Sequence, residues 1–505
     1  MFLVGTVRVA VINTDEKVLA AADNNLITVN LSSNRGRIFD CNMLALTGEK
    51  SENYAVITPS PQTIMYVSTV FTGEEKIKIL GKLRNGKPYA VKTDEISCAG
   101  IVNVQVPVFK NDDFCAHLLG YVDSSLRGVS GLEKAMDKYL YSEEKICVKY
   151  ASNAKGEVLS GIEPMVFEDT LSTTGIITTI DRNVQAVIEN GTKNLLKGAV
   201  VVSEVGTGKI RGMLSKPSFE SDDLEEAIQS ENSPLLNRAL IGYNVGSAFK
   251  PCVALAGNLD NKIWECTGSL NIDKSDFFCH KRSGHNEVDL KSALINSCNT
   301  YFYRYAINTG GDKLYETAAL FGFGYSKTLC DGIVTSGESI PERKELKSSH
   351  ALANFSIGQG KLLASPVTML SLYEAIANNG EYHLPSLLEG IMENSVITEK
   401  YDIKPSTKAI SSDTANKLKE YLKEVVISGT GQGAYSEKVE IAGKTATAQT
   451  GWKNEDGTYK EHSWFCGFFP ADNPKYVAVV LVEDSGKSLV SATEIFKYIA
   501  EGLTP

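Results

Sequence analysis

Ser247 and Lys250, in the stretch YNVGSAFKPCVALAG, are the first pair whose types and spacing could do chemistry. Proline is tolerated only in the first turn of a helix, so Pro251 fixes a helix start close to Ser247. The serine and lysine then stand at i and i+3 on one helical face. A hydroxyl at a helix N-terminus, beside an amine that can lose its proton, is a nucleophile with its base. Lys250 can act so only when neutral, and burial or a second nearby cation would lower its pKa. Ser-x-x-Lys is short enough to arise by chance in 505 residues, so alone it is a weak signal.

Two further stretches carry reactive types. ALINSCNTYFYRYA sets Ser297 and Asn299 on either side of Cys298, at a turn or helix–helix connection that would present a hydroxyl and an amide. A plain Ser/Asn cap explains that stretch equally well by itself. VEIAGKTATAQTG, residues 439–451, has the composition of an exposed strand end, with Lys444 and Thr445 among small residues. Those small neighbours leave the backbone open to close approach by a ligand.

Positioning three such segments takes more than one core, because 505 residues exceed what a single domain buries. With 43% hydrophobic and 22% charged residues the chain reads as ordinary globular protein. Its net charge of −10 argues against a nucleic-acid partner. No run of eighteen apolar residues is present to span a membrane. The opening MFLVGTVRVAVI reads either as a buried strand or as the stub of a longer anchor. The first third alternates β-rich runs (ENYAVITPS, TIMYVSTVFTG, IVNVQVPVF) with polar turns, which predicts an extended, strand-rich module. Its one helical stretch is GLEKAMDKYLYSEEK. Near residue 175 the character changes. GIITTIDRNVQAVIENG predicts a strand, then a helix capped by Asp181. A hairpin turning at Gly206–Gly208 comes next, then mostly helices to about residue 428. KVEIAGKTATAQT, HSWFCGFFPA and KYVAVVLVED return to strands before a closing helix, ATEIFKYIAEGL. Strands, helices, then strands predict an α+β domain whose sheet joins distant segments.

Order and spacing tie the motifs together: Ser297 follows Ser247 by 50 residues, and Lys444 follows Ser297 by 147. S-x-x-K, S-x-N and K-T-(small), in that order, form the signature of penicillin-binding proteins and serine β-lactamases. The chain resembles a class B penicillin-binding protein, a monofunctional D,D-transpeptidase of bacterial cell-wall synthesis. NRGRIFDCNMLALT is similar to the family's N-terminal box through Arg35, Gly36, Asp40 and Asn42. His117, Gly120, Gly131 and Glu133 match a second segment. Gly358, Gln359, Gly360 and Pro366 match a third, and Gly429 with Thr430 a fourth.

The resemblance implies a strand-rich N-terminal pedestal over residues 1–172 and a penicillin-binding transpeptidase domain over 173–505. That domain would be an antiparallel sheet flanked by helices, with an all-helical subdomain. It implies that Ser247 attacks the carbonyl between two D-alanines, with Lys250 as base. Ser297 and Asn299 would relay a proton and hold the substrate amide, while Lys444 and Thr445 would dock the carboxylate and Thr447 would assist. It implies stem peptides and β-lactams as ligands, a membrane glycosyltransferase as partner, and no cofactor for catalysis. The location implied is the cell membrane, with one N-terminal anchor and the domains outside the cytoplasm. MFLVGTVRVAVI then looks like a remnant of that anchor. Ala446 departs from the family's usual glycine, and its methyl is expected to narrow the cleft, so that Ala446→Gly would speed acylation.

Ten scattered cysteines without CxxC spacing do not form a small secreted disulfide framework. Cys266, Cys279, His280 and His285 concentrate between the first two motifs. Two thiols and an imidazole suit tetrahedral zinc, with Cys266, Cys279 and His285 as ligands and Asp289 or Cys298 as the fourth. Buried thiols or a disulfide are the plainer readings. Rival functions are a D,D-carboxypeptidase, a β-lactamase, and a non-catalytic β-lactam sensor or scaffold of the cell-wall machinery. The long N-terminal module disfavours a compact β-lactamase.

Overall fold

Unbroken apolar runs such as AVVV at 199–202 and YVAVVLV at 476–482 require a sheet covered on both faces. In the computed structural model they pair with each other. It describes residues 26–504 except 49, 110–113, 160, 168–172 and 221–223. The sheet runs Ile210–Lys216, Gly198–Glu204, Tyr476–Val482, Tyr459–Phe469, Ala442–Lys453, each neighbour antiparallel. Side-chain alternation sends Val201, Val479 and Leu481 into one core and Val200, Val202 and Val480 into another. The first core contains the helix Pro366–Ala377, buried along all 12 residues; the second contains the closing helix Ala492–Leu503. The predicted Gly206–Gly208 hairpin, the Asp181 cap and the three C-terminal strands are all present.

The N-terminal part holds two three-stranded sheets, Leu26–Arg35 with Tyr141–Ala151 and Met165–Phe167, and Tyr89–Lys92 with Ser51–Ile57 and Ile101–Pro107. Two sequence readings fail here. TIMYVSTVFTG is not a strand: residues Pro61–Val70 form a helix. Ser60 and Thr63 make a capping box and Pro61 sits in the first turn, which outweighs the β-branched composition. GLEKAMDKYLYSEEK is not one helix but two short ones, Gly131–Ala135 and Asp137–Leu140, followed by the strand Tyr141–Ala151. Arg35 accounts for the break. Its buried guanidinium pairs with Glu133 at 2.6 Å and Asp137 at 2.8 Å, fixing both around the kink at Met136.

Arg37–Phe39 runs parallel to Gly175–Thr178, so the N-terminal box adds a strand to the sheet of the second part. The second matched segment packs beside it: a Cβ on Gly120 (φ +81°) would lie 1.9 Å from the Ser130 carbonyl oxygen. The region between 220 and 428 is less purely helical than read, with short strand pairs at 264–288, 328–334 and 381–408. The MFLVGTVRVAVI segment and residue 172 of the expected domain boundary lie outside the described residues. Among the described residues no helix is long and apolar enough to cross a membrane.

Candidate active site

The nucleophile candidate rides on a turn clamped from two sides. Residues Gly246–Phe249 form a 3-10 turn that runs into the helix Lys250–Ala256, with Pro251 in its first turn as the sequence required. Gly246 (φ +55°) donates its N–H to the Gly358 carbonyl at 2.9 Å. A Cβ on Gly358 would meet the Gly246 oxygen at 2.0 Å, so both positions need glycine. Phe249 packs on Phe323 and Phe355, and the Tyr373 hydroxyl donates to the Ala248 carbonyl at 2.9 Å. Ser247 itself is half-buried.

Lys250 is the hub. Fully buried, its ammonium donates to Ser297 O at 2.7 Å, Ser297 Oγ at 3.1 Å and Asn299 Oδ1 at 2.7 Å. Phe302 lies 5.3 Å from Nζ, one helical turn past Asn299, a contact the sequence reading missed although helical spacing points to it. Burial pushes the Lys250 pKa down to about 7. Ser297 stands at φ +53° between the helices Leu290–Ile295 and Asn299–Thr309, confirming the expected connection.

Lys444 approaches from the edge strand of the five-stranded sheet. Its Nζ meets Thr445 O at 3.1 Å and Thr430 Oγ1 at 3.4 Å, and Thr430 joins Thr445 through their hydroxyls at 2.7 Å. Thr430 N donates to Ile295 O, linking this side to the Ser297 loop. Burial drives the Lys444 pKa well down, and the charge of Lys250 adds to it. The stretch is therefore not an exposed strand end on this face: Lys444, Ala446 and Ala448 point inward, while Thr447 is exposed. The expected role of the Ala446 methyl also needs correction. It is 5% exposed and lies against the nucleophile turn, 3.3 Å from where a Cβ on Gly246 would stand, instead of standing out into a cleft.

The second predicted cluster assembles. The Sγ atoms of Cys266, Cys279 and Cys298 and a ring nitrogen of His285 lie within 4.8 Å of one another. His285 Nδ1 stands 3.6 Å from both Cys266 Sγ and Cys279 Sγ. Ligands about 2.1–2.3 Å from a tetrahedral zinc sit roughly 3.5–3.8 Å apart, so the donors fit that ion. Cys298, in the middle of the Ser-x-Asn motif, completes the set. Asp289 does not: its carboxylate caps the helix Leu290–Ile295 through Ser292 N. The Cys298 thiol, then the His280 ring, hold Cys279 toward its thiolate, and the same contact drives Cys298 up.

Known proteins share this frame. The profile described as the penicillin binding protein transpeptidase domain matches residues 198–501. Stage V sporulation protein D of Bacillus subtilis is 28% identical over 453 residues, covering 85% of this chain and 68% of that protein. Peptidoglycan D,D-transpeptidase MrdA of Haemophilus influenzae is 29% identical over 348 residues, covering 61% of this chain and 52% of its own length. The chain thus spans about half of that relative. Among solved structures, penicillin-binding protein 2 of Helicobacter pylori, in complex with MreC, superposes with TM-score 0.67 at 21% identity, over 94% of this chain and 98% of that one. Penicillin-binding protein 3 of Mycobacterium tuberculosis, complexed with aztreonam, gives 0.66 at 20%, over 94% and 96%. The strand order, the three motifs and the matched span converge: the chain belongs to the penicillin-binding protein transpeptidase family.

Proposed function

We propose that the chain is a serine D,D-transpeptidase that cross-links peptidoglycan stem peptides through an acyl-enzyme and is acylated by β-lactams. The observation that carries this is the Lys250 hub, a buried amine tied at once to Ser297 and Asn299 and one turn from Ser247. With its pKa near the working pH, Lys250 takes the Ser247 proton as Oγ attacks the carbonyl between the two D-alanines. Backbone N–H groups of Ser247 and Thr447 receive the developing oxyanion, a contribution of about 3–4 kcal/mol per donor. The proton passes by way of Ser297 to the departing D-alanine amine, and Asn299 holds the substrate amide. Lys444 and Thr445 dock the terminal carboxylate. An amine from a neighbouring peptide then attacks the acyl-enzyme, Ser247 recovers its proton, and the new amide leaves.

In this reading the described N-terminal sheets form a pedestal, ending near residue 172, that holds the catalytic domain outside the membrane. A membrane glycosyltransferase is the matching partner. Cys266, Cys279, His285 and Cys298 hold a structural zinc that ties the 264–288 strand pairs to the Ser297 loop. Metal analysis of protein purified without added zinc should find about one equivalent; less than about 0.2 would end that assignment.

Intact-mass detection of a penicilloyl adduct tests the main reading. A stable adduct on wild type, mapped to Ser247 and absent from Ser247→Ala, is expected. An adduct that disappears within minutes would favour a β-lactamase, and none at all would favour a scaffold.

A further inference from the structure

Lys327 is a buried charge that no step of the proposed acyl transfer uses. Its Nζ donates to Gly322 O at 2.6 Å and to Thr368 Oγ1 at 3.1 Å. Thr368 Oγ1 in turn donates to Glu338 Oε1 at 2.7 Å, and Ser365 N donates to the same oxygen at 3.2 Å. Ser365 Oγ donates to Thr368 Oγ1 at 3.2 Å. A hydroxyl has one hydrogen and two lone pairs, so Thr368 is fully used. Burial pushes the Lys327 pKa down to about 8 while the charge of Glu338 acts the other way, so the amine stays protonated at neutral pH.

These groups sit on the segments that support Ser247. Gly322 precedes Phe323, whose ring packs on Phe249 at 5.2 Å. Glu338 belongs to the segment 336–339, where Ser336 O accepts from Gly242 N and Ser336 N donates to Leu240 O, both at 2.8 Å. Ser365 follows Ala364, which exchanges both backbone hydrogen bonds with Tyr243, at 2.9 and 3.0 Å. Ser339 and Leu363 exchange theirs at 2.9 Å, so these two segments lie against each other. Thr368 stands in the first turn of the helix whose Tyr373 bonds Ala248. Segments remote in sequence thus hold the nucleophile turn and the residues leading into it. The chain from Lys327 through Thr368 to Glu338 ties those segments together.

We infer that Glu338, together with Thr368 and Lys327, is a positioning residue of the reaction: it fixes where Ser247 Oγ stands relative to Lys250 and the docked carbonyl. The inference rests on the acyl-enzyme reading, which makes Ser247 the nucleophile. Replacing a buried ion pair by apolar groups of similar volume is often neutral for stability, so such a pair adds little to folding and serves to fix one geometry. Hydrogen bonds are directional, whereas apolar contacts tolerate small slips. The reaction does not tolerate them: misplacing a reacting group by about 1 Å can cost on the order of 10² in rate. Glu338 acts through Ser247 and not on the ligand. Its effect therefore falls on the acylation step, and the affinity supplied by Lys444 and Thr445 is left alone.

Stopped-flow penicillin labelling of the full chain tests this with two double variants, both of which remove the two charges. Lys327→Met with Glu338→Leu deletes the oxygen that joins the segments, and Lys327→Met with Glu338→Gln keeps it. At saturating penicillin the leucine variant should acylate about twentyfold more slowly, with its pre-acylation dissociation constant within about twofold of wild type and the protein labelled to completion. The glutamine variant should return to within about threefold of wild type. Should the leucine variant not fold, Thr368→Val, which alters no charge, takes its place, with a loss of about tenfold expected. A saturating rate within about twofold of wild type, or equal losses in the two double variants, would overturn the inference. So would a loss carried by the dissociation constant, or incomplete labelling at the wild-type rate, which is what a purely structural pair would give. Absence of any adduct from wild-type Ser247 is a separate signature, that of a failed acyl-enzyme reading.

Discussion

Two buried lysines face each other across the site, and their surroundings differ. Lys250 spends its three donors on three oxygens of the Ser297–Asn299 loop, from a helix in which every residue is buried. Among the described residues Lys444 reaches only Thr445 O and, at 3.4 Å, Thr430 Oγ1, from a strand at the edge of its sheet. An ammonium has three hydrogens to give. The first lysine is saturated and held in place, suited to exchanging a proton with fixed neighbours. The second keeps a donor to offer, suited to an arriving anion. Equal burial thus yields unequal roles, decided by what each amine already touches.

The sharpest way to break this contrast is to remove each lysine. Lys250→Ala should lower the rate of Ser247 acylation by about 10⁴ or more, as expected when a nucleophile loses its base. Lys444→Ala should cost about 10², expressed largely in KM for carboxylate-bearing peptides. Stopped-flow penicillin labelling and peptide kinetics separate the two, and equal losses would erase the distinction.

Metal removal is the next largest effect. Cys298 is both a donor of the sulfur cluster and the residue between Ser297 and Asn299, so the ion would steady the Lys250 side and leave the Lys444 side alone. Treatment with a strong chelator should lower Tm by roughly 5–10 °C. Acylation should slow about tenfold. A thermal scan and a labelling rate that ignore the chelator would detach the cluster from the site.

pH should affect the two sides unequally. Lys250, pushed down to about 7, works as the neutral amine, and the neutral fraction rises with pH. Acylation should therefore increase about fourfold between pH 6.5 and 8 and fall away below 7. The same limb should persist in Lys444→Ala. If it vanished with that substitution, the titrating group would be the other lysine.

Much of the Lys250 side could be read from the chain because its information is local. Pro251 fixed the helix start, and the Ser297–Asn299 spacing marked a break between helices. What escaped was set by distant partners. The choice of Cys298 over Asp289 as the fourth donor emerges only when strands from 264–288 fold onto it. The inward face of Lys444 depends on the register against Cys466 and Trp464 of the next strand, which composition does not encode. In the N-terminal part, a capping box at Ser60 overrode β-branched composition, and an ion pair reaching across 98 residues from Arg35 broke a helix that looked continuous.

The smallest expected effect concerns the seam where the two sides touch. Ala446 and Ala448 line the strand face against Gly246, whose missing Cβ would stand 3.3 Å and 3.2 Å from their methyls. A glycine at 446 would free the strand backbone and leave a methyl-sized gap beneath the nucleophile turn. Ala446→Gly should therefore destabilise the domain by about 1 kcal/mol. Acylation should slow two- to threefold, on the order of what a slight loosening of Ser247 costs. This reverses the gain expected from the strand sequence alone, because the methyl packs inward. Faster labelling of the glycine variant at unchanged Tm would show that the substrate does feel the methyl, and the seam would then belong to the binding cleft.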